Sequence, residues 1–348
     1  MAFGVYVHIP FCSRRCDYCA FATWTDRHHL QDRYMAALRE EVRRASLPPV
    51  TSVFVGGGTP TLVEPLLLAD VLRAIPTVPG AEVTVECNPD DVTDTMMAVY
   101  ADAGVNRVSI GVQSMVPHVL ASLGRSHVPE NVERAVASVR RAGIPTFNMD
   151  LIYGAAGESL DDWRTTVERA LELEPPHVSA YALTVEAGTP LAEEPQRHPD
   201  DDDLADKYEL VDDLLVAAGR ENYEVSNWAL PDHECRHNML YWEQGDYLGI
   251  GCAAHSHRHG RRWWNLRTPD RYVEAVEQGQ PTEAAGETLD AEARRLEGLQ
   301  LRLRMRGGVP ADALDLDGLD ELVIVADGRA RLTRRGRLLA NEVSMRLR

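Results

Sequence analysis

Short apolar runs of β-forming residues alternate with longer stretches of helical periodicity along the first half of the chain. Residues 5–9, 52–55, 82–86, 107–112, 146–152 and 177–183 read as six strands, each a brief run rich in Val, Ile and other apolar residues. Between them, residues 31–45, 65–75, 93–103, 130–142 and 159–173 repeat their apolar positions every three or four residues, as a helix packing one face on a sheet must. Gly104, Gly143 and Pro175 stand at the expected helix ends, where such residues stop helices. This alternation predicts an α/β fold with a parallel sheet and its helices outside. Six βα units amount to a partial (βα)6, TIM-like barrel, three quarters of a closed eight-stranded one.

The remainder is less regular. Residues 191–203 are rich in Pro and acid and end in four aspartates, a solvated connector to a helix over 204–218 with no chemistry of its own. Residues 220–280 hold four of the six tryptophans and many histidines without a clear period. The end of the chain predicts helices at 291–303, 310–319 and 335–346, with a hairpin turn at Asp327-Gly328. Helix, helix, hairpin, helix suggests a small winged-helix-like module with a packing or lid role. The expected divisions are 1–190, 191–283 and 284–348.

Composition narrows the class. Of 348 residues, 44% are hydrophobic and 26% charged, ordinary for a globular protein, and no apolar stretch approaches a membrane span. The start of the chain lacks a basic region and cleavage site, so a cytoplasmic location is expected. A net charge of −18 repels phosphate backbones and argues against nucleic acid as a partner. The charge is uneven: from Asp290 onward twelve arginines face ten acids, about +2, leaving the rest near −20.

Unusual polar residues fall where strands end. The cysteine loop Cys12-x3-Cys16-x2-Cys19 follows the first strand and Gly56-Gly57-Gly58-Thr59-Pro60 the second. Glu86, Gln113, Asp150 and Tyr181-Ala182 lie in or near the ends of the next four. Barrel-type active sites gather at those carboxyl ends, so the set predicts one site. Three thiolates without a fourth suit an iron-sulfur cubane with one iron left open, whereas structural zinc needs four ligands. Six cysteines in a chain this long do not make a disulfide framework. On the first strand, Tyr6 and His8 share the face opposite Val5, Val7 and Ile9 and should point into the barrel.

The cysteine spacing with Tyr18 inside the loop, and the glycine run after the second strand, resemble the radical S-adenosylmethionine (SAM) superfamily. The stretches 6–12, 86–89, 109–114, 123–125 and 148–154 narrow the likeness to the oxygen-independent coproporphyrinogen oxidase-like branch. The resemblance implies a 4Fe-4S cluster on Cys12, Cys16 and Cys19, with SAM on its open iron and cleaved there by one electron to a 5'-deoxyadenosyl radical. It implies SAM contacts from Tyr6 and Tyr18, and from Gly57, Gly58, Thr59, Glu86, Gln113, Arg125, Asp150 and Ala182. Gln113, Arg125 and Asp150 match positions that hold a second SAM in the oxidase.

Two departures point away from the oxidase: Ala20-Phe21 follows Cys19 where the oxidase has a further cysteine, and the oxidase's N-terminal extension is missing. The string His237-Asn238-Met239-Leu240-Tyr241-Trp242 instead resembles the heme chaperone members of the branch, as does the run 249–256. Neutral imidazole ligates iron and aromatic rings offer a porphyrin a flat apolar surface, so His237 is the expected heme contact. Cys235 is read as a bystander and Cys87 as packing, while His255, His257 and His259, crowded by arginines, are read as an exposed loop. The partners the resemblance implies are heme, heme-accepting respiratory proteins, an electron donor such as flavodoxin or ferredoxin, a second copy of the chain and a peripheral membrane contact. The rival readings are a radical enzyme that decarboxylates coproporphyrinogen or transfers methyl groups, and a zinc-bearing adaptor.

Overall fold

Six parallel strands form in the computed structural model, which describes residues 2–348: β1 (Phe3–Ile9), β2 (Val50–Gly57), β3 (Thr77–Cys87), β4 (Arg107–Gln113), β5 (Thr146–Tyr153) and β6 (His177–Ala182). They lie side by side in sequence order, each pairing parallel with the next. The crossovers are α1 (Gln31–Arg44), α2 (Pro65–Ala74), α3 (Asp94–Asp102), α5 (Pro129–Arg141) and α6 (Leu160–Glu172), with the short α4 (Pro117–Ser122) added before α5. Val5, Val7 and Ile9 are fully buried and join Tyr34 and Leu38 of α1 in the main core, leaving Tyr6 and His8 to face the other way. Thr93 and Ser159 cap α3 and α6 by accepting from backbone N–H groups three residues on.

The sheet continues past both ends of this parallel block. Beyond β6 come β8 (Asn227–Ala229) and β7 (Glu221–Glu224), antiparallel. Beyond β1 come β9 (Asp246–Ile250), parallel to it, then β10 (His255–Arg258), β11 (Arg261–Asn265) and β12 (Glu283–Thr288), making twelve strands in all. The loop expected at His255–His259 is therefore corrected to a strand, although His255 and His259 are exposed as expected. His255 and His257 lie on β10, His257 is buried between Gly245 and Gly260, and His259 alone of the three sits in the turn. Two helices complete this region, α8 (Arg236–Trp242) and α9 (Pro269–Glu277).

The aspartate run starts the helix expected from residue 204, which begins three residues earlier. Asp200 accepts from the N–H groups of Asp202 and Asp203 and caps α7 (Asp201–Ala217). Asp203 then holds Lys207, the only lysine, at 2.6 Å, while buried Glu158 lies 3.2 Å from the same ammonium. Lys207 is wholly buried, so removing it strands Glu158 in the interior. Lys207→Met is expected to lower unfolding free energy by about 3 kcal/mol, and adding Glu158→Gln to restore most of it, as measured by chemical denaturation.

At the C-terminus, α10 (Ala291–Leu303) and the hairpin β14 (Val323–Ala326) and β15 (Arg329–Leu332) form as expected, but the helix over 310–319 does not. Val309–Pro310 instead forms a short strand, β13, on β15, and only a single 3-10 turn follows. Asp315, Asp317, Gly318 and Asp320 favour turns over helix interiors, which overrides the apolar spacing. The last helix breaks at Leu339 into α11 (Arg334–Leu338) and α12 (Ala340–Ser344). Leu299, Leu303, Val309, Leu314, Val323 and Val343 make a separate small core here. Arg334 and Arg337 tie this unit to the main body through Asp212.

Candidate functional site

Side chains from β1 to β6 and from β9 to β11 all line one cavity of about 790 Å³, so the sheet curls around it as a partial barrel. The cysteine loop closes one rim. Its ends are stitched together: Trp24 N donates to Pro10 O at 2.7 Å and Cys12 N to Trp24 O at 3.1 Å. Cys12 is buried, and Cys16 and Cys19 are half-buried. Among the described residues, no three Cys, His, Asp or Glu side chains converge as ligands of a single ion would. A cubane, which takes each thiolate on a separate iron, asks for no such convergence, and a set of three soft ligands in one loop fits it.

Two hydrogen-bond donors face the sulfurs. Arg125 Nη1 lies 3.6 Å from Cys16 Sγ, and Thr59 Oγ1 donates to Cys12 Sγ at 3.6 Å. Burial pushes the Cys12 and Cys19 thiols up, while the Thr59 hydroxyl offsets this at Cys12 and the Arg125 charge helps offset it at Cys19. Arg125 is held by Gly111 O and Asn88 Oδ1 and does not line the cavity. Nor do Gly58, Thr59, Gln113 and Ala182. Tyr18 turns toward the satellite core of Val119, Leu123 and Leu183, so it belongs to the wall behind the loop.

Tyr6, Gly57, Glu86 and Asp150 do meet in the cavity. Gly57 has φ of +111°, and a Cβ there would stand 2.4 Å from the His8 ring, so only glycine serves. At Gly58 a Cβ would strike Phe11 O at 2.6 Å, which is how β2 comes so close to the cysteine loop. Glu86 Oε2 accepts from Gly57 N–H at 3.1 Å. Burial, with the charge of Asp150 added, pushes Glu86 up to about 8. Asp150 is raised by burial against donors from Ser109, at 2.7 Å, and Asn148, at 2.8 Å. His8 donates from Nε2 to Ala22 O at 2.8 Å, so its Nδ1 accepts from Tyr6 OH at 3.1 Å. Burial lowers His8 to about 4, which keeps it neutral.

His237 differs from expectation. It is fully buried, its Nδ1 is paired with Ser52 Oγ at 2.9 Å and its Nε2 with Tyr241 OH at 2.7 Å, and it stacks on Phe54. Both ring nitrogens are thus engaged, and the ring does not reach the cavity, whereas Asn238 and Tyr241 of the same helix do. The reason lies in Glu82 on β3, whose carboxylate accepts from the N–H groups of Arg236 and His237 at 3.0 Å and pins the start of α8 against the sheet. In this arrangement His237 stands behind the cavity wall and positions Tyr241, which lines it. His237→Ala is expected to free Tyr241 and lower stability by about 1–3 kcal/mol through the unpaired Ser52 and Tyr241 hydroxyls, as thermal unfolding would show.

Residues that sequence reasoning passed over also face the cavity. Arg107, on the amino-terminal part of β4, spends one guanidinium nitrogen on His233 O and leaves Nη2 without a partner, and Thr84 Oγ1 is likewise unpaired. Phe21, His255, Trp264 and Arg267 line the cavity as well. His255 lies inside the run 249–256 and Phe21 just after Cys19, but neither pattern shows which way the side chain points; Trp264 and Arg267 come from a short strand and a loop with no motif around them.

Residues 6–170 match the Radical SAM superfamily. The chain is 42% identical to the heme chaperone HemW of Mycobacterium tuberculosis, over 98% of this chain and 93% of that protein. It is 40% identical to HemW of Escherichia coli over 72% of this chain and 69% of that one. Among solved structures, coproporphyrinogen III oxidase (HemN) from Escherichia coli superposes with a TM-score of 0.86 over 99% of this chain and 89% of that one, at 24% identity, a likeness of fold.

Proposed function

Because this chain belongs to the HemW heme chaperone family of the radical SAM superfamily, we propose that it binds heme and passes it to acceptor proteins. The observation that carries this reading is that the 42% identity extends over 98% of the chain. The aromatic region between residues 220 and 283 is thus included as well as the barrel. The likeness to the oxidase is one of fold alone.

In this reading Cys12, Cys16 and Cys19 hold the 4Fe-4S cluster, and Gly57, Glu86, Asp150 and Tyr6 hold SAM in the cavity. Gly58, Thr59, Gln113, Arg125 and Ala182 support that arrangement from the rim, and Tyr18 from behind the loop. The bound cluster supplies an electron and an open coordination site for SAM. The chain's own residues set the conditions: Arg125 offsets thiolate charge, Gly57 brings bare backbone to the ligand, and buried Glu86 and Asp150 line the cavity with two carboxyl groups, of which Glu86 holds its proton until a cationic ligand arrives.

Respiratory heme proteins as acceptors, flavodoxin or ferredoxin as electron donor, pairing with a second copy and peripheral membrane contact all belong to the same reading. So does a cytoplasmic location; no helix among the described residues is long and apolar enough to cross a membrane. Anoxically reconstituted protein should take up hemin with a Soret shift and surrender it to an apo-acceptor. Decarboxylation of coproporphyrinogen at catalytic rates, or a failure to take up hemin, would overturn the reading.

A further inference from the structure

A histidine that ligates heme iron needs a free ring nitrogen and open space on the side where the porphyrin lies. Of the twelve histidines, three besides His237 fail on buried rings with both nitrogens bonded. His8 is held by Tyr6 and Ala22, His177 by Asn148 and Tyr223, and His257 by Gly245 and Gly260. Of the cavity's three histidines, His8, His177 and His255, only His255 has a ring without a protein partner among the described residues. It projects from β10 and stacks on Trp264, its register partner on β11, with ring centroids 5.6 Å apart. Its partial burial, helped by the Arg262 charge, lowers its pKa.

The space beside it suits a porphyrin. Phe21 is 67% exposed, unusual for a phenylalanine, and lines the same cavity just after the cysteine loop. Trp264, Tyr247, Tyr241 and Phe54 add further aromatic wall. Arg267, two residues past the end of β11, also lines the cavity. Most arginines here are paired with carboxylates; Arg262, for instance, holds Glu287 at 2.8 Å, and Glu297 as well. Arg267 has no carboxylate within ion-pair distance among the described residues, and a free guanidinium beside an aromatic wall matches a carboxylate carried on an apolar plane.

We propose that heme docks on the β10–β11 hairpin at the cavity mouth, with His255 as the protein ligand to iron, Trp264 and Phe21 against the porphyrin, and Arg267 on a propionate. This assignment rests on the heme chaperone reading. It gives His237 a different task, which is to fix Tyr241 and α8 from behind. It also sets the cargo beside the SAM cavity, within one continuous space.

Hemin titration of the full chain, followed by electron paramagnetic resonance of the ferric complex, tests it. His255→Ala should abolish the histidine-ligated signature and weaken binding at least about tenfold, and added imidazole should restore the signature. His237→Gln, which keeps hydrogen-bonding groups in the buried position, should retain histidine ligation. Wild type should prefer hemin over its dimethyl ester, and Arg267→Ala should erase that preference. Unchanged ligation in His255→Ala, or its loss in a folded His237→Gln, would overturn the assignment while leaving the chaperone reading standing. Wild-type protein that takes up no hemin at all would instead remove the reading beneath it.

Discussion

Cys16→Ser is expected to yield protein that folds but, after anoxic reconstitution, holds iron and labile sulfide at background level. The loop has three thiols and no spare: Cys87, Cys235 and Cys252 are all buried elsewhere, Cys87 and Cys252 in the main core and Cys235 against Glu82. None can swing into the vacated position without unpacking its surroundings, and a serine oxygen is a poor ligand for a site built on soft thiolates. Cys16 is the informative member because it is half-buried and its sulfur touches Arg125, so its loss perturbs no core contact. The loop itself should survive, since the backbone bonds between Pro10, Cys12 and Trp24 close it without the cluster. Arg125→Ala separates charge from ligation. It keeps all three thiols, so a cluster should form, but with roughly 10–100-fold weaker retention and a more negative reduction potential, because a positive charge beside the sulfurs favours the reduced state. Full iron and sulfide content in Cys16→Ser would refute the assignment of the three cysteines.

How much of this was legible depends on how far apart in sequence the interacting groups lie. The six parallel strands could be read because strands buried on both faces are continuous apolar runs, and the glycine after β2 could be read because its neighbours demand it. Alternation alone placed Tyr6 and His8 inside the barrel. The strands β7 to β11 could not be read, since three to five residues hold too few alternations to show a period. The helix expected over 310–319 failed for the opposite reason, a helical spacing of leucines overruled by turn-forming aspartates. The fate of His237 was beyond any local pattern. It is decided by Ser52 and Glu82, more than 150 residues earlier in the chain, which turn a histidine that resembles a ligand into part of the packing. His255 shows the converse, a residue whose neighbouring arginines suggest a loop and which the sheet carries to the cavity wall.

SAM binding is expected to strengthen about tenfold for each pH unit between about 6 and 8 and to level off above that. The cause is Glu86. Its carboxyl, pushed up to about 8, still carries its proton at neutral pH in the empty cavity. The groups that face it are Asp150 on β5, whose charge raises it, the Gly57 N–H on β2, which lowers it, and the hydroxyls of Tyr6 on β1 and Tyr241 on α8. At neutral pH, SAM carries a sulfonium and an ammonium against one carboxylate, a net positive charge, and so favours the ionised acid. Binding near pH 7 should therefore release close to one proton, readable by calorimetry in buffers of different ionisation enthalpy. The sign for the empty protein follows from the same shift. The folded state holds a proton that the unfolded chain has shed, so unfolding free energy falls by about 1.4 kcal/mol per pH unit from about 5 up to about 8. Glu86→Gln keeps an acceptor for Gly57 but cannot ionise. It should flatten both profiles, raise stability near pH 8 and weaken SAM binding most at the alkaline end, where the wild-type carboxylate is already formed. A wild-type affinity that does not change across this range would show that Glu86 lies outside the ligand's field and would remove it from the proposed SAM contacts.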